Sequence, residues 1–354
     1  MHRQLDFSVQ RQSPRSLLSL FSPSGRRARL SILIYHRVLP ELDALLPGEP
    51  DADRFRWQME LLAKYCHPLP LEEAVTRLRA GTLPSRAVCV TFDDGYADNA
   101  TVALPILHET GVPATFFIAT GYLNGGIMFN DVVIEAVRRV PTGMVDFAEE
   151  GSGVRRIVSD ADRVSVYTDL IQRLKYLPPK ERSARAAALA ERLGVRTPDD
   201  LMMTTEQLRG LAASGMEIGG HTHSHPILTR VDHATARREM QEGKERLERL
   251  LGHPVKLFAF PNGRPGKDFE PEHVNMVREC GFEAAVTTAW GTAGRESDLF
   301  QLPRFTPWDK TPLRFGLRLV RNLMVRGSRA TSPAALESTP IHRNRRHVRD
   351  GAGR

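Results

Sequence analysis

Cysteine is scarce in this chain. Cys66, Cys89 and Cys280 lie far apart with no C-x-x-C spacing, which excludes a disulfide framework and a thiolate metal site. Cys89, inside an apolar run, reads as core. Long apolar stretches are also missing. Nothing approaches the ~20 apolar residues of a membrane span. The patch Leu17-Leu18-Ser19-Leu20-Phe21 is too short and interrupted for a secretory segment, so a cytoplasmic location is the expectation. A basic stripe through the middle is the third absence. The net charge is +7, but residues 1–30 hold six Arg against Asp6, and residues 313–354 hold ten Arg against Glu337 and Asp350. The ends therefore carry +13 and leave the body at −6. A slightly acidic body excludes a nucleic-acid-binding core, while the basic ends leave room for contact with an anionic lipid surface.

What is present is a repeated alternation. Short apolar runs rich in β-branched residues cover 30–35, 87–92, 114–118, 216–220, 255–260 and 282–288, and they read as buried strands. Helical patterns at 55–64, 71–79, 99–110, 205–214, 234–251 and 272–280 fall between them. Strands alternating with helices mean parallel βα units. Their number suits a barrel, expected over residues 31–312, better than an open sheet. Residues 125–204 break the pattern with three helical segments and a short hairpin near 145–158, and read as an insertion that shapes a substrate groove. Residues 1–30 read as a flexible basic arm. Residues 313–354 read as a basic helix followed by a disordered tail. Arg314, Arg318 and Arg321 fall at helical spacing opposite Leu and Phe, as in a last helix docking on the barrel or a basic amphipathic helix lying on a membrane.

Chemistry collects where the strands end, which in parallel barrels is where active sites form. Asp93-Asp94 follows one strand, and adjacent residues leaving a strand point in different directions. One can bind a metal while the other faces a water; the plainer reading is an acidic turn or helix cap. His221, His223 and His225 follow another strand. His221 and His225 are placed to reach a single ion, and three protein ligands with an open position is the catalytic pattern. His223 reads as a supporting residue.

Thr91-Phe92-Asp93-Asp94-Gly95-Tyr96 and His221-Thr222-His223-Ser224-His225-Pro226 resemble the T-F-D-D-G and H-[ST]-x-x-H motifs of the NodB-homology polysaccharide deacetylases, carbohydrate esterase family 4. The resemblance covers roughly residues 31–307. It implies a distorted (β/α)7 barrel and an N-acetylated glycan as substrate. It also implies Asp93 as general base, and Asp94, His221 and His225 as ligands of a divalent ion. Zinc comes first, with cobalt, nickel or iron accepted by the same donors. The third motif corresponds to residues 258–263, so the backbone amide of Asn262 is the implied oxyanion donor. Two positions depart from the family. Ala259 stands where an Arg usually orients the catalytic Asp, and no Leu-x-His follows Thr287. Leu302-Pro303-Arg304-Phe305 offers Arg304 at a further strand end as the partner of Asp93. Tyr35-His36-Arg37-Val38 resembles the early Tyr-His of the branch that includes poly-N-acetylglucosamine deacetylases, making His36 the candidate acid for the leaving amine. Two other readings compete: hydrolysis of small cyclic amides or O-acetyl esters on the same fold, and a catalytically inactive carbohydrate-binding module. The complete Asp-Asp-His-His set argues against the last.

Overall fold

Strands buried on both faces read as near-continuous apolar runs, broken only by small hydroxyl residues, rather than as alternation. In the computed structural model of the protein, which describes residues 14–325, this holds for β1 (Ser31–Tyr35), β3 (Ala87–Phe92) and β4 (Ala114–Ile118), whose residues are all buried. The other strands are the two-residue β2 (His67–Pro68), β5 (Gly143–Phe147), β6 (Gly153–Ile157), β7 (Glu217–Gly220), β8 (Leu257–Ala259) and β9 (Ala284–Val286). The main sheet is parallel with order β1-β3-β4-β7-β8-β9, and β2 pairs with the start of β3. Residues 302–305 close the gap between β9 and β1. Leu302 bridges Val286 on one side and Phe305 bridges Leu33 on the other, both parallel. The result is a distorted (β/α)7 barrel, with 302–305 as its seventh stave.

The helices are α1 (Pro14–Phe21), α2 (Ala52–Tyr65), α3 (Leu71–Ala80), α4 (Leu104–Thr110), α5 (Phe129–Arg139), α6 (Asp160–Leu174), α7 (Pro179–Arg192), α8 (Thr205–Ala213), α9 (His233–Leu251), α10 (Pro271–Glu279) and α11 (Pro312–Met324). One strand face packs against helices: Phe55 of α2 meets Tyr35 and Phe92, and Phe92 stacks on Phe116 with ring centroids 4.7 Å apart. Alternate residues Ile32, Cys89, Phe117, Leu257, Ala259 and Val286 form a second core with α3. Asn99–Ala103 does not begin an α-helix as the pattern suggested. It makes a wider π-type turn before α4, because Pro105 cannot donate into a regular ladder.

The stretch 125–204 has its own core. Val133, Val137, Phe147, Ile157, Leu170 and Leu189 join α5, the antiparallel β5–β6 hairpin, α6 and α7. It is tied to the barrel by the Arg138–Asp43 pair at 2.6 Å and by Tyr167 donating to the Leu45 carbonyl at 2.6 Å. The expectation of a free arm over residues 1–30 is corrected for residues 14–30. Leu18, Ala28 and Leu30 are buried, Leu30 bridges Ala293, and α1 packs beside α2 and α11. Apolar residues between the arginines, which alone suggested no element, are what anchor it. The expected tail beyond residue 325, like residues 1–13, lies outside the described residues.

Candidate active site

The site sits at the C-terminal ends of the strands, in a cleft of about 470 Å³. The chain leaves β3 through Asp93 and Asp94, and β7 through His221. Four of the six described non-glycine residues with left-handed backbone lie here: Asp94 (φ 77°), Thr222 (φ 66°), His225 (φ 53°) and Asn262 (φ 58°). Such conformations persist only where the surroundings over-determine them. For the histidine loop the surroundings are visible. The Thr222 hydroxyl donates to the His221 carbonyl and accepts from the His225 N–H at 3.1 Å. Glu239 of α9 accepts from the N–H groups of His223 and Ser224. Gly243 lets α9 approach: a Cβ there would come within 2.8 Å of the Thr222 backbone.

This loop brings His221 and His225 to Asp94. Each Nε2 lies 3.4 Å from Asp94 Oδ1, and among the described residues that buried oxygen accepts no hydrogen bond. An orphan carboxylate oxygen between two imidazoles is costly unless something cationic lies there. The donor set of one carboxylate and two imidazoles fits a divalent metal. The ligand atoms lie within 4.8 Å of one another. His221 donates from Nδ1 to the Ala259 carbonyl at 2.8 Å, which fixes the tautomer and turns the Nε2 lone pair inward. Burial drives the His225 pKa down to about 3, keeping its imidazole neutral as ligation requires. Burial alone would raise the Asp94 carboxyl, but the histidines outweigh it and hold it below the usual range. His223 instead meets the Thr120 hydroxyl at 3.0 Å.

Beside this cluster, Asp93 is gripped by Arg304. The guanidinium makes two 2.7 Å bonds to the two carboxylate oxygens, with further bonds to Thr91 Oγ1 and the Thr287 carbonyl. Arg304 is 1% exposed. Burial opposes the Asp93 charge, yet Arg304 and then His221 bring its pKa below the usual value. His36 and Asn262 line the same cleft. His36 is held through its carbonyl, which accepts from the Asn99 side chain at 2.8 Å. Asn262 is held through its carbonyl by the Thr288 hydroxyl. All seven candidate residues thus converge.

The profile of the polysaccharide deacetylases matches residues 80–285, more than half of the chain. The chain belongs to the polysaccharide deacetylase family. Among curated proteins it resembles YxkH of Bacillus subtilis (strain 168), provisionally named a polysaccharide deacetylase, at 21% identity over 84% of this chain and 78% of that one. Among solved structures it resembles the Streptococcus pyogenes deacetylase PplD in complex with acetate, at 20% identity and TM-score 0.55, covering 84% of this chain and 98% of PplD. It also resembles IcaB from Ammonifex degensii, at 20% identity and TM-score 0.52, covering 86% and 99% respectively. At these identities the likeness establishes the fold.

The cleft also holds Glu49, Asp131 and Lys175, which no motif contains, and Tyr96, which closes the first motif without an assigned role. Tyr96 directly follows the Asp-Asp-Gly turn and was within reach of sequence reading; Asp131 and Lys175 come from the insertion and carried no local signal. Both Asp131 oxygens accept from the Tyr96 hydroxyl, at 3.2 and 3.0 Å. Burial pushes the Asp131 carboxyl up to about 7, Asp94 and Glu135 add to this, and Arg37 opposes it. A shift of that size corresponds to about 4 kcal/mol between protonation states. Its stabilising contribution is whole below the unfolded carboxyl value and is lost as pH rises towards 7. Asp131→Asn should therefore gain stability relative to the parent protein as pH rises from about 4 to about 7 in denaturant titrations. A difference that stays constant across that window would sink this account.

Proposed function

We propose that the protein is a metal-dependent N-deacetylase acting on an amino-sugar polysaccharide or its precursor. The orphan Asp94 oxygen between two inward-facing imidazoles, next to an Arg304-held Asp93, carries this reading. Asp94, His221 and His225 would hold the divalent ion, zinc first among zinc, cobalt, nickel and iron. When bound, the ion supplies a Lewis acid for the acetamide carbonyl and for water. Asp93 takes the proton that water loses as its oxygen bonds to the acetyl carbon. Arg304 keeps Asp93 ionised and oriented for that task. The Asn262 N–H, which has no acceptor among the described residues, stabilises the oxyanion. His36 delivers a proton to the nitrogen as the C–N bond breaks, so that acetate leaves and the sugar keeps a free amine. The deciding experiment is acetate release from N-acetylglucosamine oligomers, with O-acetylated sugars and small cyclic amides as parallel substrates. Turnover of either alternative alone would move the protein to that reaction, and glycan binding without acetate release would make it a binding module.

We further infer peripheral contact of α11 with an anionic lipid surface, and with it a location at the inner face of a membrane. The helix docks through Phe315, Leu319 and Leu323. It leaves a second apolar stripe outward, with Leu313 73%, Leu317 60% and Met324 62% exposed. Exposed Arg314 and Arg321 flank that stripe, and the helix contains no acid. Apolar insertion with basic flanks is complementary to anionic headgroups. No helix among the described residues is long and apolar enough to cross a membrane. The full chain should float with anionic vesicles and stay behind with zwitterionic ones, and Leu313→Gln/Leu317→Gln/Met324→Gln should abolish flotation. Unchanged flotation of this variant would count against α11 as the contact.

A further inference from the structure

Five cations gather about Lys175 and Tyr176 at the end of α6, and of these Lys175 lines the cleft. Lys175, just after α6, lines the cleft together with Asp94, His225 and Asn262. Next to it, the Tyr176 ring carries Arg230 at 5.1 Å and Lys267 at 5.2 Å from its centroid, and its hydroxyl accepts from Arg264. Arg182 of α7 completes the group, with its guanidinium 3.5 Å from the Lys175 carbonyl and 3.4 Å from the His225 carbonyl. Only one of the five has a counter-charge: buried Asp268 pairs with Arg264 at 3.0 Å. Among the described residues no carboxylate pairs with Lys175, Arg182, Arg230 or Lys267. Asp232 lines the surface pocket beside Tyr176 and Arg230, where it accepts from Thr235 at the start of α9.

Elsewhere this protein pairs its surface cations readily, as Arg77 with Glu73, Arg278 with Asp298 and Arg155 with Asp169. The body of the chain is net acidic, so the cluster does not follow from composition. Like charges gathered this closely repel. The crowding registers at Lys175, whose ammonium is pushed below its ordinary pKa by burial and then by Arg264. A bound anion would relieve this repulsion through charge-assisted bonds.

We propose that this cluster is a subsite for an anionic group, a phosphate or a carboxylate, on the glycan that enters the cleft. It rests on the deacetylase reading of the site, and it deepens that reading by assigning an acidic substrate. Because the cluster starts at a cleft-lining residue and reaches the carbonyl of His225, the anionic group belongs to the sugar bearing the acetamide or to its neighbour.

Two arms test this on the full-length metal-loaded enzyme. In the first, calorimetry compares glucose 1-phosphate and glucuronate with neutral glucose. At least one anionic sugar should bind about tenfold tighter or more, with the gap narrowing as salt screens the charges. The gap should close in Lys175→Gln/Arg230→Gln. Arg230→Gln/Lys267→Gln, which changes only exposed side chains, serves if Lys175 proves necessary for folding. Which anionic sugar binds tighter separates phosphate from carboxylate. In the second, acetate release is compared between neutral N-acetylglucosamine oligomers and oligomers bearing the favoured group. The KM ratio should favour the anionic oligomer and fall to near one in the double variant. Equal binding of all three sugars overturns the proposal, as does a preference that the double variants retain. Anionic sugars held by these residues without acetate release from any oligomer would keep the subsite and sink the deacetylase reading.

Discussion

Arg304→Met is expected to lower stability by about 3–5 kcal/mol, because it leaves Asp93 ionised, buried and unpaired. The parent pair is fully desolvated, with both carboxylate oxygens bonded at 2.7 Å. Arg304→Lys should recover only part of the loss, since an ammonium replaces the charge but not the fork. The effect depends on pH in a defined sense. In the parent protein the Asp93 pKa is lowered, so its contribution is present above the unfolded carboxyl value and is lost as pH falls through the folded one. In the Met variant burial without a partner raises that pKa, and the penalty fades on acidification. Denaturant midpoints of the two proteins should therefore converge as pH drops below about 4. Equal midpoints and equal turnover at pH 7 would remove Arg304 from the proposed mechanism.

The second large effect separates metal binding from proton transfer. Purified protein should carry about one divalent ion, read by elemental analysis, consistent with three protein ligands and an open position. His225→Ala should lose both the ion and acetate release, because two remaining ligands leave the site incomplete. Asp93→Asn should retain the ion yet lose about 10³-fold in kcat, the size of a general-base contribution. An Asp93→Asn protein without metal, or a His225→Ala protein that still binds it, would reverse the division of labour between the two adjacent aspartates.

Much of the framework was legible from local signals. The strand runs at 87–92 and 114–118 are continuous and apolar because both faces are covered, and the turns after them carry the polar residues. The two His and the Asp pair stand in short motifs, so local spacing reveals them. Arg304 was legible only as a residue at a strand end. Its hold on Asp93 spans 211 residues of sequence and exists because 302–305 closes the barrel. The α1 anchor escapes local reading for a related reason. Its buried residues are few and mixed with arginines, and only their docking sites on α2, α11 and the barrel make sense of them.

The sequence by itself determined the barrel class and the identities at the strand ends, because period, β-branching and motif spacing are properties of neighbouring residues. The tertiary structure alone decided what those residues face. It left Asp94 Oδ1 without a donor among the described residues, placed Asn262 at the cleft, and set the insertion against the barrel so that Asp131 and Lys175 line the site. Each of these depends on elements far apart in the chain, brought together by burial of the two barrel cores and the insertion core.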